Sequence, residues 1–277
     1  MKNIIYSLTS VFTMALLLIF SVTACNQSAS DTGTLRVIMH DNPVDFDAVW
    51  VEIVRVEVNN QRDEETGWVT INEPNGRYNL LELVNGEQVM LGEQELEAGV
   101  YRQIRLILGN DNTVVIEGEE YALQTPSGQQ TGIKINIDAG IQNGFVYELA
   151  LDFDANRSVV TTGQTPVGAP FLLTPVIRAY ATAETGIISG VVATEDDADL
   201  SELSVTVELL NDVDGYDVST IVDEITGEFQ LRGLPAGIYG IKISAEGYVS
   251  ITETDISVTA GEITNIGEII LIEEAGE

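Results

Sequence analysis

Three short groups of aspartates are the residues of this chain best spaced to do chemistry. Asp41, Asp45 and Asp47 surround Pro43 in one stretch. Asp152 and Asp154 are two apart, so on an extended strand they share a face. Asp212, Asp214 and Asp217 crowd a segment in which Gly215 permits a sharp bend. Oxygen-rich clusters of this kind suit Ca²⁺. All eight are therefore candidate metal ligands, and Ca²⁺ is the only cofactor that the sequence suggests. If the first two groups met in space, five carboxylates would converge, which a cation or bound protons would have to relieve. The competing use of each Asp is to cap a turn through its own backbone. The 211–217 segment also departs from an EF-hand, with no Glu at the bidentate offset and no flanking helices. A carboxylate pair at a suitable separation in an aromatic cleft can cleave glycosides; Trp50 and Trp68 would have to line that cleft.

Other chemistries are narrowed by scarcity. His40 is the only histidine and Cys25 the only cysteine. A lone His removes His-rich zinc sites, and at a strand end it reads as a packed or solvated residue, so no catalytic residue is assigned. A lone Cys forms no intramolecular disulfide, and the fold must rest on its core. No Walker loop or Rossmann fingerprint occurs. Cys25 itself ends a run with Lys2 near its start, an apolar stretch from Ile4 to Val22 and no acid before Asp31. Val22-Thr23-Ala24-Cys25 resembles the lipobox of bacterial lipoproteins. That resemblance implies cleavage before Cys25 and a diacylglycerol on its sulfur. Residues 1–24 are then a signal peptide, 25–32 a polar tether, and the membrane a partner through the lipid. A plain secretory signal and a retained N-terminal helix are the alternatives. Asn26, in place of the Asp that retains enteric lipoproteins at the inner membrane, favours the outer membrane.

The charge excludes further partners. Twelve Lys and Arg face 44 Asp and Glu, a formal charge of −32. Nucleic acid is a poor partner, because phosphate binding needs clustered cations, and anionic lipid surfaces repel such a chain.

The elements that would position these residues read as strands. Thr34–Met39, Ala48–Val58, Tyr101–Leu108, Gly132–Ile137 and Phe145–Phe153 are rich in Val, Ile, Leu and Tyr between Gly, Asn, Asp and Pro punctuation. In the last, Phe145, Tyr147, Leu149, Leu151 and Phe153 form one face, and Val146, Glu148, Ala150, Asp152 and Asp154 the other. Leu80–Leu83 reads as a short helical turn capped by Asn79. Phe171–Tyr180 reads as a closing strand, and a new set opens after a linker near 181–186. Residues 186–277 hold 20 acids against 2 cations. Arg102 and Arg105 are the only two cations close together on one strand; one of them is expected to pair with a buried carboxylate or to meet a polyanionic ligand.

Seven strands are expected in 186–277: 187–193, 204–210, 219–222, 228–232, 237–245, 251–258 and 264–271. The segments Asp223-Glu224-Ile225-Thr226-Gly227-Glu228-Phe229, Leu231-Arg232-Gly233-Leu234-Pro235-Ala236-Gly237-Ile238-Tyr239 and Ala245-Glu246-Gly247-Tyr248 resemble the carboxypeptidase regulatory-like family. That family is a mostly non-enzymatic, prealbumin-like sandwich. Residues 33–182 carry Val37-Ile38-Met39-His40-Asp41-Asn42-Pro43, Asn79-Leu80-Leu81-Glu82-Leu83, Ala98-Gly99-Val100-Tyr101-Arg102 and Leu151-Asp152-Phe153-Asp154-Ala155. These resemble DUF4382, a family of bacterial envelope proteins without an established function. The expected fold is all-β: two consecutive β-sandwich domains after a cleaved lipoprotein signal peptide. The expected role is that of a lipid-anchored, non-catalytic binding or structural module of the outer membrane, with a glycan or protein partner in the envelope. A carbohydrate-binding or Ca²⁺-dependent adhesin and a carboxylate hydrolase are the other readings.

Overall fold

A computed structural model describes residues 31–41, 46–61, 66–125, 131–161, 171–195 and 198–274. It is all-β, with two β-sheet domains around separate cores. Cys25 and Asp45 lie outside the described residues. Among the described residues, no helix is long and apolar enough to cross a membrane.

The first domain is a sandwich. One sheet has β1 (Thr32–Asp41) between β5 (Val89–Glu97) and β10 (Val146–Phe153), with β13 (Ile177–Ala181) beyond β10. β1 and β10 run parallel, and the other pairs are antiparallel. The facing sheet is built on β2 (Ala48–Asn59) and β6 (Gly99–Leu108), with β9 (Ile133–Ile141) on the far side of β6 and β3 (Val69–Asn72), β4 (Gly76–Asn79), β7 (Thr113–Ile116), β8 (Glu119–Gln124) and β11 (Val159–Thr161) on the β2 side. Alternation explains the core: Leu35, Val37 and Met39 of β1 and Leu149, Leu151 and Phe153 of β10 are buried in one cluster with the inward residues of the facing sheet. On β2 the inward series Val49, Val51, Ile53 jumps to Val56 and Val58. A bulge between Ile53 and Arg55 absorbs the extra residue and keeps both valines inside.

Three expectations change. Phe145 does not join the inner row of β10; it precedes the strand and is 68 % exposed. The opposite row is not a solvated polar face, because Ala150, Asp152 and Asp154 are all buried. Phe171–Tyr180 is two strands in different sheets rather than one. β12 (Phe171–Leu173) pairs in the β2 sheet, and β13 pairs with β10. Pro175, with no N–H to give a ladder, lies in the crossing segment. Asn79 does cap a short turn, Leu80–Glu82, its side chain accepting from the Leu81 N–H.

One turn, Thr182–Glu184, separates β13 from β14 (Thr185–Thr194). The second domain stacks two sheets. β14 lies between β17 (Glu228–Pro235) and β20 (Ile263–Leu271), and the other sheet runs β16 (Ser219–Ile221), β15 (Thr206–Leu209), β18 (Gly237–Ser244), β19 (Ile251–Val258). Phe229 and Leu231 fill its centre, each almost wholly buried.

Candidate functional site

Strand register alone assembles the most unusual group of side chains. On the face of β1 and β10 turned away from the first core, His40 lies opposite Asp152, and Asp152 lies opposite Arg178 of β13. Two pairs further along, and so on the same face, Ala150 lies opposite Tyr180. A histidine, a carboxylate, a guanidinium and a phenol therefore share one patch of one sheet. All but the half-buried Tyr180 are under 10 % exposed. The Tyr180 hydroxyl is 2.7 Å from His40 Nε2. His40 Nδ1 is 3.6 Å from Asp152 Oδ1. Asp152 Oδ2 accepts from Arg178 Nη2 at 2.8 Å and Nε at 3.2 Å. We assign a neutral imidazole that takes the phenolic proton's hydrogen bond on Nε2 and turns Nδ1–H toward Asp152.

The second domain supplies the lid. Arg178 Nη1 donates to the Gly233 carbonyl at 3.0 Å and Nη2 to that of Arg232 at 3.4 Å. Gly233 has φ +70°, and a Cβ there would lie 2.5 Å from the Tyr180 ring. The glycine therefore lets the β17 backbone descend onto the patch. Around this centre, Tyr216 donates its hydroxyl to the Ile177 carbonyl and Asn85 donates to that of Glu228. Arg157 donates to the Gly215 carbonyl and sits over the Tyr216 ring. The buried row of β10 is thus explained: its cover comes from a domain more than fifty residues away in sequence.

Tyr180, His40 and Asp152 line up as a proton relay would, and Tyr180 borders a cavity of about 210 Å³ between the domains. The electrostatics oppose nucleophilic use. Burial, with Asp152 adding to it, pushes the Tyr180 phenol far above its ordinary range, so it stays protonated. Burial also lowers the His40 pKa, against an opposing pull from Asp152. A weakened base beside a phenol that is harder to ionise suits a structural hydrogen bond better than an activated nucleophile.

The aspartates singled out by spacing are placed as follows. Asp41, Asp152 and Asp154 do come to one end of adjacent strands, as β1 and β10 are paired. Asp41 Oδ1 accepts from the Ala155 N–H at 2.9 Å. Asp154 caps the helix Ala155–Ser158 through the Arg157 N–H. Burial raises the Asp154 pKa, with Asp152 and Asp217 adding to the rise and Arg157 opposing it. Asp47 is elsewhere, accepting from the Gly118 N–H. In the second domain Asp212 accepts from the Gly215 N–H, and Asp214 takes φ +55° in the same bend. Among the described residues, no group of three or more His, Cys, Asp or Glu is placed to hold a metal ion. The two tryptophans are far from an open aromatic cleft. Arg77 covers Trp50 at 4.9 Å, and Arg105 and Lys134 cover Trp68 at 4.1 and 5.9 Å. Arg105 is the cation with a buried partner, Glu57, at 2.5 Å, while Arg102 meets Asp138 at the surface.

Spacing alone could not have found Arg178 and Tyr180. Their signal is the Arg-Ala-Tyr alternation on β13, which becomes meaningful only once β13 is known to lie beside β10.

Comparison with known proteins divides the chain at the same place as the two cores. Residues 32–168 match a domain of unknown function, DUF4382, and residues 187–271 match the carboxypeptidase regulatory-like domain. The chain therefore carries a DUF4382 domain followed by a carboxypeptidase regulatory-like domain, and neither match is to an enzyme family. No curated protein matches. Among solved structures, a type II cohesin–X-dockerin complex from Acetivibrio cellulolyticus is 24 % identical, over 32 % of this chain and 58 % of that one, with a TM-score of 0.26. The Bacillus anthracis TIE protein is 16 % identical, over 88 % of this chain and 34 % of that one, with a TM-score of 0.24. A minor pilin of Streptococcus agalactiae is 10 % identical, over 87 % of this chain and 97 % of that one, also at 0.24. The chain thus spans less than two thirds of the first two of these, and none of the scores is high enough to assign a shared fold.

Proposed function

We propose that this is a lipid-anchored protein of the bacterial outer membrane whose two sandwiches work as one non-catalytic binding or structural module. The observation that carries the reading is the Asp152–Arg178 pair, buried in the first domain and bonded to the Gly233 carbonyl of the second. Groups that resemble catalytic ones are committed to holding two domains in one relative position. A rigid two-domain body suits presentation or scaffolding at a membrane, with a glycan or protein of the envelope as its partner. The lipobox-like Val22-Thr23-Ala24-Cys25 supports the anchor, with the lipid on Cys25. Replacing Arg178 by Ala should split one cooperative calorimetric transition into two. An unchanged single transition would sink the rigid-body reading. Labelled palmitate should be incorporated by the wild type and not by Cys25→Ala.

A second reading, a Ca²⁺-dependent adhesin, is favoured by one observation. Asp217 of the second domain is near enough to Asp154 of the first to help raise its pKa. A cation bridging the two would relieve that repulsion. Under this reading millimolar Ca²⁺ raises the melting temperature and a chelator reverses the rise; identical melts would dismiss it.

A further inference from the structure

Beside the buried ionic junction, the two domains leave an open groove of about 300 Å³ between the 82–87 segment and the end of β16 with the turn that follows it. Its character differs from the rest of the junction. Val84, Ile221 and Ile225 give it an apolar surface, and Ile225 at the tip of the turn is 92 % exposed. Ile225 is more exposed than the domain's other large apolar side chains, Ile238 at 75 % and Ile263 at 62 % among them, and with Ile221 and Val84 it makes the groove's apolar lining. Glu82, Glu87, Asp223 and Glu224 rim it, with no Lys or Arg lining it among the described residues. Among the described residues, Glu87 and Glu224 make no side-chain hydrogen bond or ion pair. Hydrogen bonds from the Thr226 N–H and hydroxyl and the Ile225 N–H lower the Asp223 pKa, which keeps it charged at neutral pH.

The backbone adds direction. Among the described residues, β16 is an edge strand paired with β15 alone. Leu209 donates to the Val218 carbonyl, and Val222 donates to that of Val205. Antiparallel alternation then turns the N–H and C=O of Ile221 away from β15, to the groove side. Asn85, on the opposite wall, has a buried Oδ1 without a hydrogen-bond partner among the described residues.

We propose that this groove docks an extended segment of a partner protein in which Lys or Arg alternates with aliphatic residues. The aliphatic side chains would pack on Ile225, Ile221 and Val84. The cations would meet Glu87, Glu224 and Asp223, and the segment's backbone would bond the edge at the Ile221 N–H and compete with the Thr220 hydroxyl for the Ile221 carbonyl, the pattern of strand addition. The charge selects this occupant: an acidic segment is repelled by the rim, and a second copy of this chain carries the same −32. The inference rests on reading the chain as a binding module, while its test is independent of the rigid junction.

The test is fluorescence polarisation of labelled octapeptides against the full-length chain in detergent. The probes are alternating Lys-Val, Ser-Val and Lys-Ser sequences. The Lys-Val peptide should bind, and both others should bind at least about tenfold more weakly. Glu87→Lys with Glu224→Lys should cost about tenfold, as should Ile225→Ser alone. Glu246→Lys with Glu253→Lys changes the net charge equally outside the groove lining and should leave affinity within about twofold. Equal loss in both charge-reversed pairs would mean attraction to bulk charge and would overturn the groove. So would Lys-Ser binding as tightly as Lys-Val, or no binding by any peptide. Splitting of the calorimetric transition by Arg178→Ala bears only on the rigid body, so either reading can fail alone.

Discussion

At the scale of single residues, the junction turns two titrations in opposite directions. His40 is neutral in the fold because burial lowers its pKa from 6.5. The unfolded chain therefore binds the proton first, and stability falls as pH drops below about 6.5 toward the lowered folded value. Asp154 is the reverse: its folded pKa is raised from 3.8, so its burial is a penalty that grows as pH rises from about that value through the folded one. Urea unfolding followed by circular dichroism between pH 7.5 and 5 should show a falling midpoint in the wild type and a flatter profile in His40→Gln. Equal slopes would mean that the imidazole is not buried neutral. The Asp152–Arg178 pair gives a second check. Asp152→Leu leaves a buried guanidinium without its carboxylate and should cost about 3–5 kcal/mol. Asp152→Leu with Arg178→Met should cost less than the two singles added together, measured as a double-mutant cycle.

At the scale of elements, local chemistry sets the turns and tertiary contact sets the faces. Gly227 shows the first. It has φ +72°, and a Cβ there would collide with the Val192 carbonyl. Asp223 holds the same turn by accepting from Ile225 and Thr226. Gly227→Ala should therefore lose about 2–3 kcal/mol, well beyond a helix-surface glycine, and chemical denaturation would reveal it. Such signals are local, which is why the seven strands of the second domain and the Asn79 cap can be read in the sequence. The two rows of β10 show the second kind. Its Leu149, Leu151 and Phe153 row is legible from alternation. The burial of Ala150, Asp152 and Asp154 is not, since it depends on β17 of the other domain and on Arg178 arriving from β13. The split of 171–180 between sheets is hidden for the same reason: apolar character is continuous there, and only the sandwich decides which sheet takes each half. Of the aspartates, spacing identified Asp41, Asp152 and Asp154 as neighbours, and their partners proved to be an Ala N–H, an Arg and a helix start.

At the scale of the whole molecule, a formal charge of −32 works against compactness, and the junction must hold two acidic bodies together. Self-repulsion of this size is long-ranged at low salt and fades once the screening length falls below about 10 Å. The contacts that resist it are short-ranged: Arg178 to two β17 carbonyls, Asn85 to Glu228, Tyr216 to Ile177. Gly233 is where the two effects meet, because its missing side chain sets the distance of closest approach. A Cβ there would lie 2.5 Å from Tyr180 and 2.7 Å from Arg178 Nη2, in a backbone conformation that already disfavours one. Gly233→Val should wedge the domains apart while leaving each core intact. Calorimetry at low salt should then show two transitions where the wild type shows one, with the second domain's own midpoint little changed. Added NaCl should raise both midpoints and narrow the gap between them, since it screens the repulsion without restoring the lost contacts. A variant that still melts in one transition at low salt would place the coupling of the domains elsewhere than at this glycine.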